Sequence, residues 1–180
     1  MVDLKAIFKE KIFIETKVKS IDSLFLNEER LESTNYHPTY QRNYVWDDEK
    51  ATYFIESIFL GTEIPPLIFF QKDLSFEVID GRQRYETILR FIQGELRLRK
   101  SGLHKLGSLK EFVGKNFKEL NEEYKEMFLK TKIRTIVFSF RSEHFSQEEE
   151  DAVKREIFQR YNSGITPLKS VEIDKAIYLK

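Results

Sequence analysis

The sequence predicts an α+β fold, short buried strands interleaved with helices and followed by a helical C-terminal part. Three observations predict it. Residues 67–70 and 76–79 are short apolar runs joined by a polar turn at Gln71-Lys72-Asp73, which reads as two buried strands. The second run breaks at Asp80-Gly81 into a 3.6-residue pattern, with Tyr85, Ile88, Leu89 and Ile92 on one face and Gly94 as the stop. Asp-Gly often marks a hairpin, but no strand follows here, so the unit is strand–turn–helix. A third strand, residues 133–140, precedes a long helix at 147–161.

The remaining elements follow in chain order. Residues 4–12 form a weakly amphipathic segment, a short helix or an ordered arm. Residues 17–26 are ambiguous: Val18 and Ile21 favour a strand, and the Ile21-Asp22-Ser23-Leu24-Phe25-Leu26 run favours a helical turn. Residues 39–45 are aromatic and extended, as Pro38 encourages. Asp47 or Asp48 caps a helix running to Leu60, with Ala51, Phe54, Ile55, Ile58 and Phe59 at helical spacing. Gly61 ends it, and Pro65-Pro66 prevents its return. Residues 108–130 read as one or two helices with Leu109, Phe112, Val113, Phe117 and Leu120 as the apolar stripe. Ser146 with Glu149 forms a capping box for the long helix. Asn162-Ser163-Gly164 closes that helix, and Thr166-Pro167 or Ser170 starts a last one at 171–179. The pattern is still running at Lys180, as expected of a domain excised from a longer protein or of an unusually short family member.

Composition narrows the function classes. A chain of 180 residues that is 41% hydrophobic, with 16 Phe and 8 Tyr, can build an aromatic core in one domain, or one domain with a small lobe. The absence of Cys excludes disulfides, thiolate catalysis and Cys-based zinc sites. His37, His104 and His144 stand far apart in no metal-ligand pattern. Thirty basic and thirty acidic residues cancel, so no global field draws in nucleic acid. The basic stretch 97–134 reads as solvated helix faces or as a nucleic-acid-facing edge. The run Glu148-Glu149-Glu150-Asp151 reads as carboxylates stabilising a helix N-terminus rather than as a metal site. No run of about 18 apolar residues exists to span a membrane. The first five residues lack a signal-peptide core, and a cytoplasmic location is expected.

Three constellations carry chemistry. At Asp80-Gly81-Arg82-Gln83-Arg84 a helix begins with unpaired amides and a partial positive charge. Gly81 lets a ligand approach the backbone closely. Arg82 and Arg84 can grip phosphate oxygens through forked, charge-assisted hydrogen bonds. Gln83 can donate to a phosphate or orient a water. Asp80 can bind Mg²⁺, orient an arginine, or cap the helix. The alternative is an Asp-capped helix with solvated arginines. Around residues 37–46, Gln41 and Arg42 sit between aromatics and either face a ligand or serve the fold; Trp46 reads as core. In residues 158–168, Arg160, Asn162 and Ser163 either reach a ligand or form a plain joint between helices.

Together these segments resemble the bacterial family that includes the N-terminal part of GmrSD-type modification-dependent restriction enzymes, which looks like a branch of the ParB/sulfiredoxin superfamily. Its members show Tyr-Gln-Arg-x-Tyr-x-Trp, then Ile-Pro-x-Ile, then Asp-Gly-Gln-Gln-Arg, then Phe-x-Arg-x-Asn-x-Gly-x-x-Leu. Here these correspond to residues 40–46, Ile64-Pro65-Pro66-Leu67, residues 80–84 and residues 158–168. The first Gln of the third motif is Arg82, which adds charge where the family has a neutral amide. The resemblance implies a ParB/sulfiredoxin-like small mixed sheet packed with helices, its nucleotide-binding core beginning in residues 1–96, with a helical insertion at 97–132 and a closing strand and helices of the same domain at 133–180.

By the same resemblance, Asp80, Gly81, Gln83 and Arg84 form the phosphate motif, Gln41 and Arg42 face the same pocket, and Arg160 and Asn162 close it. The implied ligands are an NTP of unknown base with Mg²⁺ at Asp80, and the implied catalytic pair is Asp80 and Gln83. The implied role is nucleotide binding and hydrolysis in restriction or phage defence. The His-Asn-His nuclease domain that often follows has no counterpart in these residues, so cutting DNA would need another domain or subunit. The alternative is a DNA-binding or modified-DNA-sensing module without catalysis, using Lys105, Lys110, Lys115 and Lys118. A third reading is a scaffold that kept the fold and lost the chemistry.

Overall fold

The computed structural model describes residues 2–39, 41, 43–142 and 144–162. The chain opens with a single turn, α1 (Leu4–Ala6), and a π-turn at Ile7–Lys11 that leads into strand β1 (Ile12–Ser20). Two short helices follow, α2 (Ile21–Phe25) and α3 (Glu28–Glu32), then the brief strand β2 (Thr34–Asn35). The ambiguous stretch 17–26 is thus both strand and helix, changing at Ser20. Residues 36–47 carry no regular element among those described.

Helix α4 (Asp48–Phe59) starts where Asp47 accepts the Lys50 N–H at 2.8 Å. Strands β3 (Leu67–Lys72) and β4 (Ser75–Asp80) form an antiparallel hairpin. Its turn lies one residue later than the sequence suggests, because Asp73 takes a positive φ of 54° and leaves Leu74 exposed. Helix α5 (Arg82–Gln93) follows at once and ends at Gly94. After the insertion come α6 (Glu122–Lys130), β5 (Lys132–Phe140) and α7 (Gln147–Asn162). The Ser146–Glu149 capping box forms as predicted, with Glu149 N–H to Ser146 Oγ at 3.2 Å and Ser146 N–H to Glu149 Oε2 at 2.8 Å. The helix expected at 171–179 lies outside the described residues.

The sheet order is β1-β5-β3-β4-β2. β1 runs antiparallel to β5, while β5 with β3 and β4 with β2 are parallel, so the sheet is mixed and the fold is α+β as predicted. The two-residue period of β3 divides its side chains between two cores. Leu67 and Phe69 join Val78, Ile133 and Val137 under the residues of α2, α4, α5 and α6. Ile68 and Phe70 join Ile79 and Phe138 under Val153 and Ile157 of α7 and under Ile7 of the N-terminal arm.

Residues 97–132 depart most from expectation. Residues 108–114 form turns rather than helix, and a 3-10 turn at Phe117–Glu119 precedes α6. Gly114 turns at φ 72°, and Asn116 starts a new capping box with Glu119, so the helical run cannot continue through them. Leu109 of the expected stripe is 39% exposed, while Phe112, Phe117 and Leu120 enter the main core with Leu98, Leu103 and Phe128. Two polar residues of α4 hold the segment. Thr52 Oγ1 accepts the Arg99 N–H at 3.0 Å, and the buried Glu56 carboxylate accepts the N–H groups of His104, Lys105 and Leu106 at 2.7–3.0 Å.

Candidate functional site

The site grows from the end of β4. The β3–β4 register slips by one between Ile68 and Phe69, so Ile79 is an extra residue, a β-bulge immediately before Asp80. The bulge leaves the carbonyls of Val78 and Ile79 reachable by one donor. Gln41 Nε2 donates to both, at 2.6 and 2.7 Å. The loop of residues 37–46 is thereby bound to the strand that delivers the motif.

Gly81 follows with φ 91° and ψ 15°, a left-handed conformation, and is the N-cap of α5. Asp80 is therefore not the cap, and among the described residues no side chain caps this helix. The space over Gly81 differs from the sequence expectation. A Cβ there would meet Leu67 Cδ2 at 2.7 Å and Arg84 Nη2 at 2.9 Å. The close approach that glycine permits is taken by these side chains.

The two arginines point different ways. Arg84 Nη2 donates to Asp80 Oδ2 at 2.8 Å and to the Pro66 carbonyl at 3.1 Å. Among the described residues its Nε is buried without an acceptor. Arg82 is 7% exposed; its Nη2 lies 2.5 Å from His37 Nδ1, its Nη1 donates to the Gln41 carbonyl at 3.4 Å, and its Nε faces Glu86 Oε2 at 3.5 Å. Burial, and then the Arg82 charge, push the His37 imidazole below its ordinary pKa. Gln83 clamps the upstream loop: its Oε1 accepts from Val45 N–H at 2.9 Å and Trp46 N–H at 3.2 Å, and its Nε2 donates to the Asn43 carbonyl at 3.2 Å. One turn on, Tyr44 meets Thr87 at 2.8 Å, hydroxyl to hydroxyl, beneath the Arg90 guanidinium.

The closing segment arrives on α7. Arg160 is exposed and its Nε donates to Glu156 Oε1 at 2.6 Å, while Asn162 Nδ2 donates back to the Phe158 carbonyl at 3.0 Å. Between them stands Tyr161, whose ring meets Phe138 edge-on at 6.1 Å. Burial and the negative charge of Asp80 push its phenol above the ordinary range. Arg42 and the rest of the closing segment, residues 163–168, lie outside the described residues.

The fold thus gathers Gln41, Asp80, Gly81, Arg82, Gln83 and Arg84 at one corner, with His37, Glu86 and Tyr161 added. Glu86 was legible as the i+4 partner of Arg82, and Tyr161 as the residue between two motif positions. His37 had no local signal. Among the described residues no three His, Asp or Glu side chains gather to hold a metal ion. Asp80 offers one carboxylate, with one oxygen engaged by Arg84. That fits a Mg²⁺ carried mainly by phosphate oxygens, not a cage made by protein alone.

A family model described as the N-terminal domain of GmrSD restriction endonuclease matches residues 21–179. No curated protein and no solved structure gives a significant match. Among the described residues no helix is long and apolar enough to cross a membrane.

Proposed function

Because the chain belongs to the N-terminal domain family of GmrSD restriction endonucleases, and so is a component of a restriction, or phage-defence, system, we propose that it is the nucleotide-binding, NTP-hydrolysing regulatory domain of that system. One observation carries the reading. Among the described residues, a helix with no side-chain cap begins at the end of the bulged interior strand β4, and beside it a buried guanidinium nitrogen, Arg84 Nε, has no acceptor. Orphan amides and an unsatisfied charged donor at one helix start suit anionic oxygens.

In this reading the amides of the first turn of α5 and the Arg84 guanidinium receive the phosphates. Arg82, held by His37 and Glu86, adds positive charge from beneath, and Asp80 orients Arg84 and meets a Mg²⁺ that arrives with the nucleotide. Gln83 and Gln41 fix the upstream loop beside the ligand, Arg42 is assigned a contact with that ligand, and Tyr161, with Arg160 and Asn162, closes the far side. Catalysis would come from positioning and charge stabilisation rather than from covalent chemistry. DNA and a nuclease domain or subunit are the partners this reading requires.

The test is a thermal-shift series with ATP, GTP and CTP, each with Mg²⁺. A ligand at about 100 times its Kd adds about 2.7 kcal/mol of stability. Arg84→Ala should weaken binding by about 1.5–3 kcal/mol, as for a charged hydrogen bond. No stabilisation by any nucleotide, or unchanged affinity in a folded Arg84→Ala protein, would overturn the proposal. Duplex binding that falls steeply with salt and is insensitive to Arg84 would instead support a DNA-sensing module working through Lys105, Lys110, Lys115 and Lys118.

A further inference from the structure

β1 is the outermost strand of the described sheet and precedes the segment matched by the family. It is nine residues long, and it exposes Phe13 (46%), Ile14 (52%) and Val18 (63%). A long edge strand with exposed apolar side chains is a template for another strand.

The direction of its backbone groups follows from its pairing with β5. The Arg141 N–H donates to the Lys11 carbonyl, and the Ile21 N–H to the Thr131 carbonyl, so odd-numbered residues of β1 face β5. Even-numbered residues turn their N–H and C=O groups outward. The Ile12 carbonyl agrees, since it accepts from the Arg141 side chain at 3.0 Å rather than from the ladder. The groups of Ile14, Thr16 and Val18 are thus aimed away from the sheet.

The side-chain order is self-complementary about Thr16. Laid antiparallel against itself with Thr16 opposite Thr16, the strand sets Ile14 opposite Val18, Glu15 opposite Lys17 and Phe13 opposite Lys19. Apolar meets apolar, acid meets base, and an aromatic ring meets a cation, each twice by symmetry. The backbone parity agrees independently, because these pairings match even residues with even ones, as outward-facing hydrogen-bonded pairs require. A shift of one residue would break that parity. Glu15 and Lys17 already pair within one strand, Nζ to Oε2 at 2.7 Å, so both charges stand on the face where the partner's would lie.

We propose that two copies of this chain associate through their β1 edges, antiparallel about Thr16, continuing the sheet from one protomer into the next. The contact is isologous, as a two-fold dimer requires. It is independent of the nucleotide reading, since β5 and β3 stand between β1 and β4 in the sheet.

The chain has no cysteine, so single cysteines report on the register directly. Thr16→Cys would bring two sulfurs across the axis with Cα atoms roughly 5.5 Å apart, within disulfide reach. Val18→Cys would leave its two copies roughly 13 Å apart along the strands, beyond reach. The expected result is a disulfide-linked dimer on mild oxidation for Thr16→Cys and not for Val18→Cys. Light scattering on the unmodified protein should approach twice the 21.6 kDa chain mass as concentration rises. Glu15→Lys should weaken the dimer about tenfold, and adding Lys17→Glu should restore it. Circular dichroism melts confirm that each variant is folded. A monomer at every concentration, a dimer that Thr16→Cys fails to bridge, or a dimer indifferent to the Glu15→Lys reversal would overturn the proposal.

Discussion

At Gly81 the backbone turns at φ 91°, and Leu67 and Arg84 lie where a Cβ would stand. Gly81→Ala therefore meets two costs, an unfavourable backbone region and a steric one, and should destabilise the fold by about 2 kcal/mol, read as a lower Tm. Arg84 can swing more easily than Leu67, so the same substitution should also disturb the Arg84–Asp80 pair. Glu56 is the other residue whose role exceeds its sequence signal. Its carboxylate is buried, which alone would raise its pKa, but three backbone N–H groups outweigh this and hold it below the ordinary range. Nothing in the helical pattern of α4 separates Glu56 from a solvated glutamate, because its three partners lie 48–50 residues away. Arg82 was read as a phosphate ligand, and the fold surrounds it with His37, Gln41 and Glu86. A charge with so little exposure needs partners, and sequence spacing reveals only the one on its own helix.

Among the elements, the strand–turn–helix from β4 into α5 was fully legible, since both periodicities and the Asp-Gly break are local. The bulge at Ile79 was not, because register is a property of two strands and not of one. Gln83 joins α5 to the loop at residues 43–46 through three hydrogen bonds. Gln83→Ala should free that loop, speeding amide exchange at Val45 and Trp46 while leaving the core strands protected; uniform protection across the mutant would refute the clamp. Helix α7 shows the limit of reading charge from sequence. Its acidic first turn reads as carboxylates stabilising the helix N-terminus, and Glu149 does complete the capping box. Glu150, however, is 3% exposed, gripped by Lys72 and Lys154 at 2.7 Å each. Burial alone would raise its pKa, but the two lysines outweigh that and hold it low.

Across the molecule, several carboxylates tie distant elements together and share one pH signature. The Ser20 hydroxyl and then Lys130 hold Asp22 at about 2, joining α2 to α6; Lys11 holds Glu149 low, joining the N-terminal arm to α7; and Glu150 joins α7 to β3. Each has a folded pKa below its unfolded value, so its contribution is whole above the ordinary carboxylate range and is lost as pH falls through the folded value. For Asp22 that window runs from 3.8 down to about 2. His37 is also held below its unfolded pKa, so protonating it begins to cost stability as pH drops below 6.5. A Tm profile should therefore decline gently below 6.5 and steeply below about 4. His37→Asn should remove the first decline and leave the second. The sequence by itself determined the strand and helix inventory of most of the chain, the motif order and the family, because periodicity, caps and breakers act over a few residues. Only the tertiary structure decided which charges are buried, where the sheet register slips, that residues 97–132 dock on α4, and that β1 is left as an edge. Those depend on which distant surfaces meet, and burial, unlike helical period, is a property of the partner as much as of the residue.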